Sequence, residues 1–104
     1  GDLCFVSGQT AIDPVTGEFH PGTIEEEFAI AFANVLAVVR AAGFEGKDLV
    51  YVHLALADID DYSAVNKVYG ETLALADLPA RMTYAVGALP FGAKIEVQAI
   101  AARS

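Results

Sequence analysis

Two side chains near the end of the chain, Arg81 and Glu96, are of types that can do chemistry. Leu78 to Ser104 reads LPARMTYAVGALPFGAKIEVQAIAARS. Two strand-like runs, Ala80 to Gly87 and Ala93 to Ala102, flank a Leu-Pro-Phe-Gly connection. Both runs are mostly small and apolar, with Arg81 at the mouth of the first and Glu96 inside the second. A charge among apolar strand neighbours is costly unless it is paired, solvated in a pocket or used. Arg81 offers a planar, permanently charged fork of donors that matches a carboxylate bidentately. Glu96 alternates with Ile95 and Val97, so it leaves the sheet face that those two bury. A carboxylate balanced between partial burial, which raises its pKa, and a nearby arginine, which lowers it, can orient a water and take its proton. On residue type alone the competing readings are a surface ion pair for Arg81 and an interface pair with Lys94 or Arg103 for Glu96.

The remaining polar residues carry weaker signals. Ser7 and Thr83 are strand hydroxyls able to hydrogen-bond a ligand, but no histidine-acid pair accompanies them, so neither reads as a nucleophile. Asn66 either caps locally or touches a site. His20 follows a turn, His53 lies on a face of small residues and reads as an interface histidine, and Cys4 reads as packing. With two histidines and one cysteine, none at ligand spacing, no metal is expected. Asp58, Asp60 and Asp61 read as a turn and cap, and Glu25, Glu26 and Glu27 as a solvated first helical turn matched to the macrodipole. The nine glycines are scattered and form no phosphate-binding loop.

The elements that must position these residues follow from pattern. Leu3 to Gln9 reads as a strand, followed by turn chemistry at Asp13 to Gly17 and a break at Pro21-Gly22. Thr23, with Glu26 three residues on, predicts a capping box. Phe28, Phe32, Val35, Leu36 and Val39 form one helical face, and Gly43 is the expected residue just past the helix end. Leu49 to Ala57 reads as a strand, with Val50, Val52, Leu54 and Leu56 on one side and Tyr51, His53, Ala55 and Ala57 on the other. A second helix, capped by Asp60 or Asp61, is expected to run to about Ala76, with Val65, Tyr69 and Leu73 inward, Tyr62 and Val68 near that face, and Gly70 weakening it. The order β-α-β-α-β-β predicts an α+β domain, a single mixed sheet with two helices on one face.

Length and composition bound the rest. A chain of 104 residues suits one domain, residues 1–104. With 55% hydrophobic residues it has more apolar material than one small core needs, so some is expected to be buried against another subunit. A formal charge of −8 and the lack of any Lys/Arg cluster argue against a nucleic-acid partner. One cysteine permits no intrachain disulfide, which suits a reducing, cytoplasmic setting. No run is apolar enough for a membrane span. The chain starts at Gly1 directly before a strand, and the natural N-terminus is expected to lie further back.

Four blocks in order, FVSGQTAIDPVTGE, NVLAVVRAAG, DIDDYSAVNKVYGETL and LPARMTYAVGALPFGAKIEVQAIA, resemble the RidA/YjgF family of reactive-intermediate deaminases. The resemblance covers nearly the whole chain. It implies a chorismate-mutase-like fold, a homotrimer with sites between subunits, and cofactor-free hydrolysis of enamines or imines such as 2-aminoacrylate to 2-keto acids and ammonia. It implies Arg81 as the carboxylate anchor and Glu96 as the site glutamate. Ser7, Gly8, Asn66, Thr83 and the Leu89-Pro90 loop are implied as substrate-binding. Thr83 stands where many members have cysteine, so that thiol is not essential here. Gln98 replaces a second acid often seen after the site glutamate, and the segment between Asn66 and Arg81 is about two residues short. The family's N-terminal strand with its site tyrosine would precede Gly1. Three other functions stay open: a relative specialised for another substrate, such as a ring-derived enamine; a non-catalytic trimer that binds small carboxylates; and an endoribonuclease or translation inhibitor, an activity also attached to the family. Net charge and the lack of a histidine pair argue against the last.

Overall fold

The computed structural model describes residues 1–74 and 78–104. Four strands form one sheet: β1 (Asp2–Gln9), β2 (Leu49–Leu56), β3 (Ala80–Ala85) and β4 (Ile95–Arg103). Their spatial order is β1-β4-β2-β3. β4 runs antiparallel to both neighbours, whereas β3 lies parallel to β2. Two helices, α1 (Ile24–Ala41) and α2 (Tyr62–Leu73), pack on one side. The fold is therefore α+β with a mixed sheet, in the expected element order. The two closing strands are not neighbours, because β2 lies between them.

The caps of α1 form as local chemistry requires. The Thr23 hydroxyl accepts from the Glu26 N–H, and the Glu26 carboxylate accepts from the Thr23 N–H, giving a full capping box. At the other end Gly43 takes a φ of +89°, the Gly43 N–H donates to the Arg40 carbonyl, and the Phe44 N–H donates to the Val39 carbonyl. This is the Schellman arrangement, which satisfies carbonyls left over at the helix end. Phe28, Phe32, Val35 and Val39 are all buried against the sheet.

α2 begins directly after Asp61, one of the two expected cap positions, but without a side-chain capping bond. Asp58 caps a short 3₁₀ turn at Ile59–Asp61, and Asp61 makes no capping bond of its own. Val65, Tyr69 and Leu73 face the core as the spacing predicts. Ala76, the expected end of the helix, lies outside the described residues.

Two expectations are corrected. Val50 is not on the core side with Val52, Leu54 and Leu56: it is 47% exposed. A register irregularity against β4 between Leu49 and Tyr51 breaks the alternation, so Leu49 takes the inward position instead. Glu27 is not part of a solvated turn. It is fully buried and bonded to the start of β4, 67 residues away in sequence.

Among the described residues, the opposite face of the sheet carries no helix. It presents Leu3 and Phe5 from β1, Tyr51 and His53 from β2, Met82 and Tyr84 from β3, and Glu96, Gln98 and Ile100 from β4. Leu3, Phe5, Met82 and Tyr84 are exposed, which leaves a broad apolar surface.

Candidate active site

Strand register decides where each candidate points. Arg81 pairs with Val52 and Thr83 with Leu54, and paired residues share a face. Both therefore emerge on the helix side of β3, at the sheet edge. Glu96 pairs with Ala55, on the helix-free face of β4. Within one chain, Arg81 and Glu96 lie on opposite faces of the sheet with β2 between their strands.

Arg81 is held by α2. Its Nη2 donates to the Tyr62 hydroxyl at 3.3 Å, and its guanidinium carbon lies 4.8 Å from the centre of the Tyr69 ring and 5.8 Å from that of Tyr62. Stacking on aromatic faces orients the planar guanidinium while leaving N–H groups free to donate. The adjoining cavity, of about 400 Å³, is lined by Asn66, Tyr69, Gly70, Leu78, Pro79 and Arg81. Among the described residues no carboxylate forms an ion pair with Arg81.

The polar atoms near this cavity are poorly satisfied. The buried hydroxyls of Tyr69 and Thr83 have no hydrogen-bond partner among the described residues. Burial pushes the Tyr69 phenol above its ordinary pKa, with the Arg81 charge acting in the opposite sense.

Glu96 lies apart from this cavity, on the helix-free face. β1 places two residues, Ser7 and Gly8, opposite the single Gln98, forming a bulge between Val6 and Gln9. The Glu96 side chain lies over Gly8, where a Cβ would stand 2.6 Å from its Cδ. Ser7 is exposed on the same bulge. Within one chain Glu96 pairs with neither Lys94 nor Arg103. Lys94 pairs with Glu27 at 3.3 Å, while Arg103 pairs with Asp2, donates to the Gly43 carbonyl and stacks on Phe44. Pro90 opens a short exposed 3₁₀ turn, Pro90–Gly92, in which Phe91 adopts a φ of +62° and stacks on Phe19.

One chain thus groups the candidates into two separate clusters: Arg81 and Thr83 on one strand, with Asn66 lining the cavity beside Arg81, and Gly8 with Glu96 and Ser7 on the other face. Sequence reasoning placed Tyr62 and Tyr69 only in or near the core, and missed that they hold Arg81. Their spacing of seven, with Asn66 between them, puts all three on neighbouring turns of α2 and is the signal that was available. No group of three or more metal-ligating side chains occurs among the described residues.

A mixed-sheet α+β domain with an arginine-lined cavity at one edge and a carboxylate on its helix-free face defines a class of small ligand-binding domain. The chain belongs to the endoribonuclease L-PSP family, the RidA/YjgF family of the sequence resemblance, whose model matches residues 1–103. It is 42% identical over 97 residues to the 2-iminobutanoate/2-iminopropanoate deaminase of Rattus norvegicus, covering 93% of this chain and 70% of that protein. It is 45% identical over 105 residues to the mitochondrial protein mmf2 of Schizosaccharomyces pombe, covering 98% of this chain and 81% of that one. The crystal structure of Escherichia coli TdcF with bound serine superposes with a TM-score of 0.92 at 34% identity, covering 100% of this chain and 83% of the other.

Proposed function

We propose that this chain is a deaminase that hydrolyses reactive 2-imino acids, and the enamines from which they form, to 2-keto acids and ammonia. The reading is carried by one observation: Arg81 points its stacked guanidinium into an open cavity in a chain about 40% identical to proteins named for that reaction. The serine bound to TdcF, an amino acid with a carboxylate and a small side chain, is the kind of ligand such a cavity suits.

In this mechanism Arg81 holds the substrate carboxylate through two N–H donors. Glu96 orients a water, which adds to the C=N carbon while its proton passes to the carboxylate. Glu96 returns that proton to the nitrogen to complete the carbinolamine, then takes the hydroxyl proton and passes it to the amine, so that the C–N bond breaks, the C=O forms and ammonia leaves. Asn66 and Thr83 bind beside Arg81; Ser7, Gly8 and the Pro90 turn bind beside Glu96. No cofactor takes part in these steps.

Because one chain puts Arg81 and Glu96 on opposite faces, the complete site needs two copies. We assign the apolar, helix-free face to a homotrimer of the chorismate-mutase-like kind. In it the Arg81 edge of one copy meets the Glu96 face of the next. Residues 1–104 act as one domain in this assembly. With net charge −8 and no cluster of basic residues, the chain suits a small anionic substrate within a positively charged pocket better than RNA. Its single cysteine fits a reducing compartment such as the cytoplasm, although a similar protein is mitochondrial.

The test is to supply imines made by an amino-acid oxidase from a panel of amino acids and to follow their loss. Acceleration over buffer supports the reading. Normal keto-acid binding by Glu96→Ala, with no imine ever turned over by the wild type, would instead favour a carboxylate-binding module.

A further inference from the structure

The structure assigns Glu27 a role as a positioning residue for Glu96, an inference that rests on the function proposed above. Glu27 is the one carboxylate among the buried residues described, with its side chain 1% exposed. It sits in the first turn of α1, yet its oxygens are not spent on that helix. Oε1 accepts from the backbone N–H of Lys94 at 2.9 Å. Oε2 accepts from the Lys94 ammonium at 3.3 Å and from the Gly22 N–H at 3.4 Å.

Lys94 is the hinge between the Pro90–Gly92 turn and β4. Its N–H lies just before the β4 ladder begins, so without Glu27 it would have no partner there. Its carbonyl accepts from the Ala57 N–H at 3.0 Å. Lys94 is thus pinned at its amide, its carbonyl and its ammonium, and Glu96 follows two residues later. Buried, charge-assisted bonds at both the amide and the ammonium set the angle at which β4 starts and hence where the Glu96 carboxylate lies over Gly8. Burying an acid at a site that needs only a helix-compatible residue is costly, and the cost makes sense if the junction must be rigid.

Three variants separate positioning from general stability. Glu27→Asp keeps the charge but shortens the reach to the Lys94 amide. It is expected to lower kcat about tenfold, with KM within about twofold, and to speed hydrogen exchange of the Lys94 amide about tenfold. Glu27→Gln retains an acceptor oxygen and is expected to show smaller changes of the same sign. Val35→Ala, a core change on the same helix, should lower Tm while leaving kcat per folded site and Lys94 exchange as in the wild type. A Glu27→Asp protein with wild-type kcat, or with unchanged Lys94 exchange, overturns the assignment. Should that variant fail to fold, the same readouts on Glu27→Gln decide. If the wild type hydrolyses no 2-imino acid, the proposed function falls by itself. The positioning role is then judged by the NMR shift of the Glu96 carboxyl carbon, and an unchanged shift in the variant overturns it.

Discussion

Gly8 leaves the space that the Glu96 carboxylate fills: a Cβ at position 8 would stand 2.6 Å from Glu96 Cδ and 2.7 Å from Oε1. The atoms in the way are the far end of a flexible side chain, so the backbone can accept Gly8→Ala while the carboxylate cannot keep its place. A displacement of about 1 Å at a reacting group costs on the order of a hundredfold in rate. Gly8→Ala should therefore lower kcat by roughly that factor with Tm nearly unchanged. Full activity in this variant would show that Glu96 is not held where the chemistry occurs.

Arg81→Ala should act on binding first. Hydrogen bonds to a charged partner contribute about 1.5–3 kcal/mol each, so KM for a 2-imino acid should rise at least tenfold. Arg81→Lys should recover only part of this, because an ammonium lacks the planar fork. Steady-state kinetics, with sedimentation to confirm that the oligomer is intact, provide the check. Wild-type KM in the alanine variant would remove Arg81 from the site.

On the helix-free face, Phe5 and Tyr84 are exposed and apolar. Charges placed there should prevent association, since an unpaired charge buried at an interface costs several kcal/mol. Phe5→Asp together with Tyr84→Asp should give a smaller particle by sedimentation and lose activity, while circular dichroism stays native. An active monomer would contradict a site shared between copies.

Gly70 lies in α2 with nothing within 4 Å of where its Cβ would be. Replacing it by alanine should stabilise the helix by about 1 kcal/mol, the helix-propensity difference between the two residues. Gly70 also lines the Arg81 cavity, so the added methyl should narrow it. Thermal unfolding and kinetics with imines of increasing side-chain size test the two effects. Stability should rise, and larger substrates should lose more activity than smaller ones.

Asp61 gives a prediction with pH. Burial, and next the neighbouring Asp58 carboxylate, raise its pKa above the ordinary value of 3.8. A group with a raised folded-state pKa contributes stability that is present below its unfolded pKa and is lost as pH rises through the folded one. Asp61 makes no capping bond to α2, so Asn at this position forfeits nothing there. Asp61→Asn should thus be more stable than the wild type at pH 7, by about 0.5 kcal/mol, the scale of surface changes. The gap should close as pH falls below about 4, close to the ordinary aspartate pKa. Denaturant unfolding at pH 7 and pH 3 measures both ends, and a gap that widens in acid would show the sign to be wrong.

Much of this molecule is local and was therefore legible in the residues themselves. The capping box of Thr23 and Glu26, the glycine at the end of α1, the inward stripe of Phe28, Phe32, Val35 and Val39, and the outward turn of Glu96 between Ile95 and Val97 all depend on neighbours a few positions away. Hydrogen bonds and side-chain periodicity over such distances follow from sequence alone. Three features did not. Val50 left the core because of an irregularity set by its pairing with β4. Glu27 was buried by Lys94, which only the packing of α1 against the start of β4 brings near. Arg81 and Glu96 were sent to opposite faces by register, which sets Arg81 beside Val52 and Glu96 beside Ala55, residues of opposite facing on β2. Each depends on which elements lie side by side, a matter of long-range pairing and shared burial that no local pattern encodes.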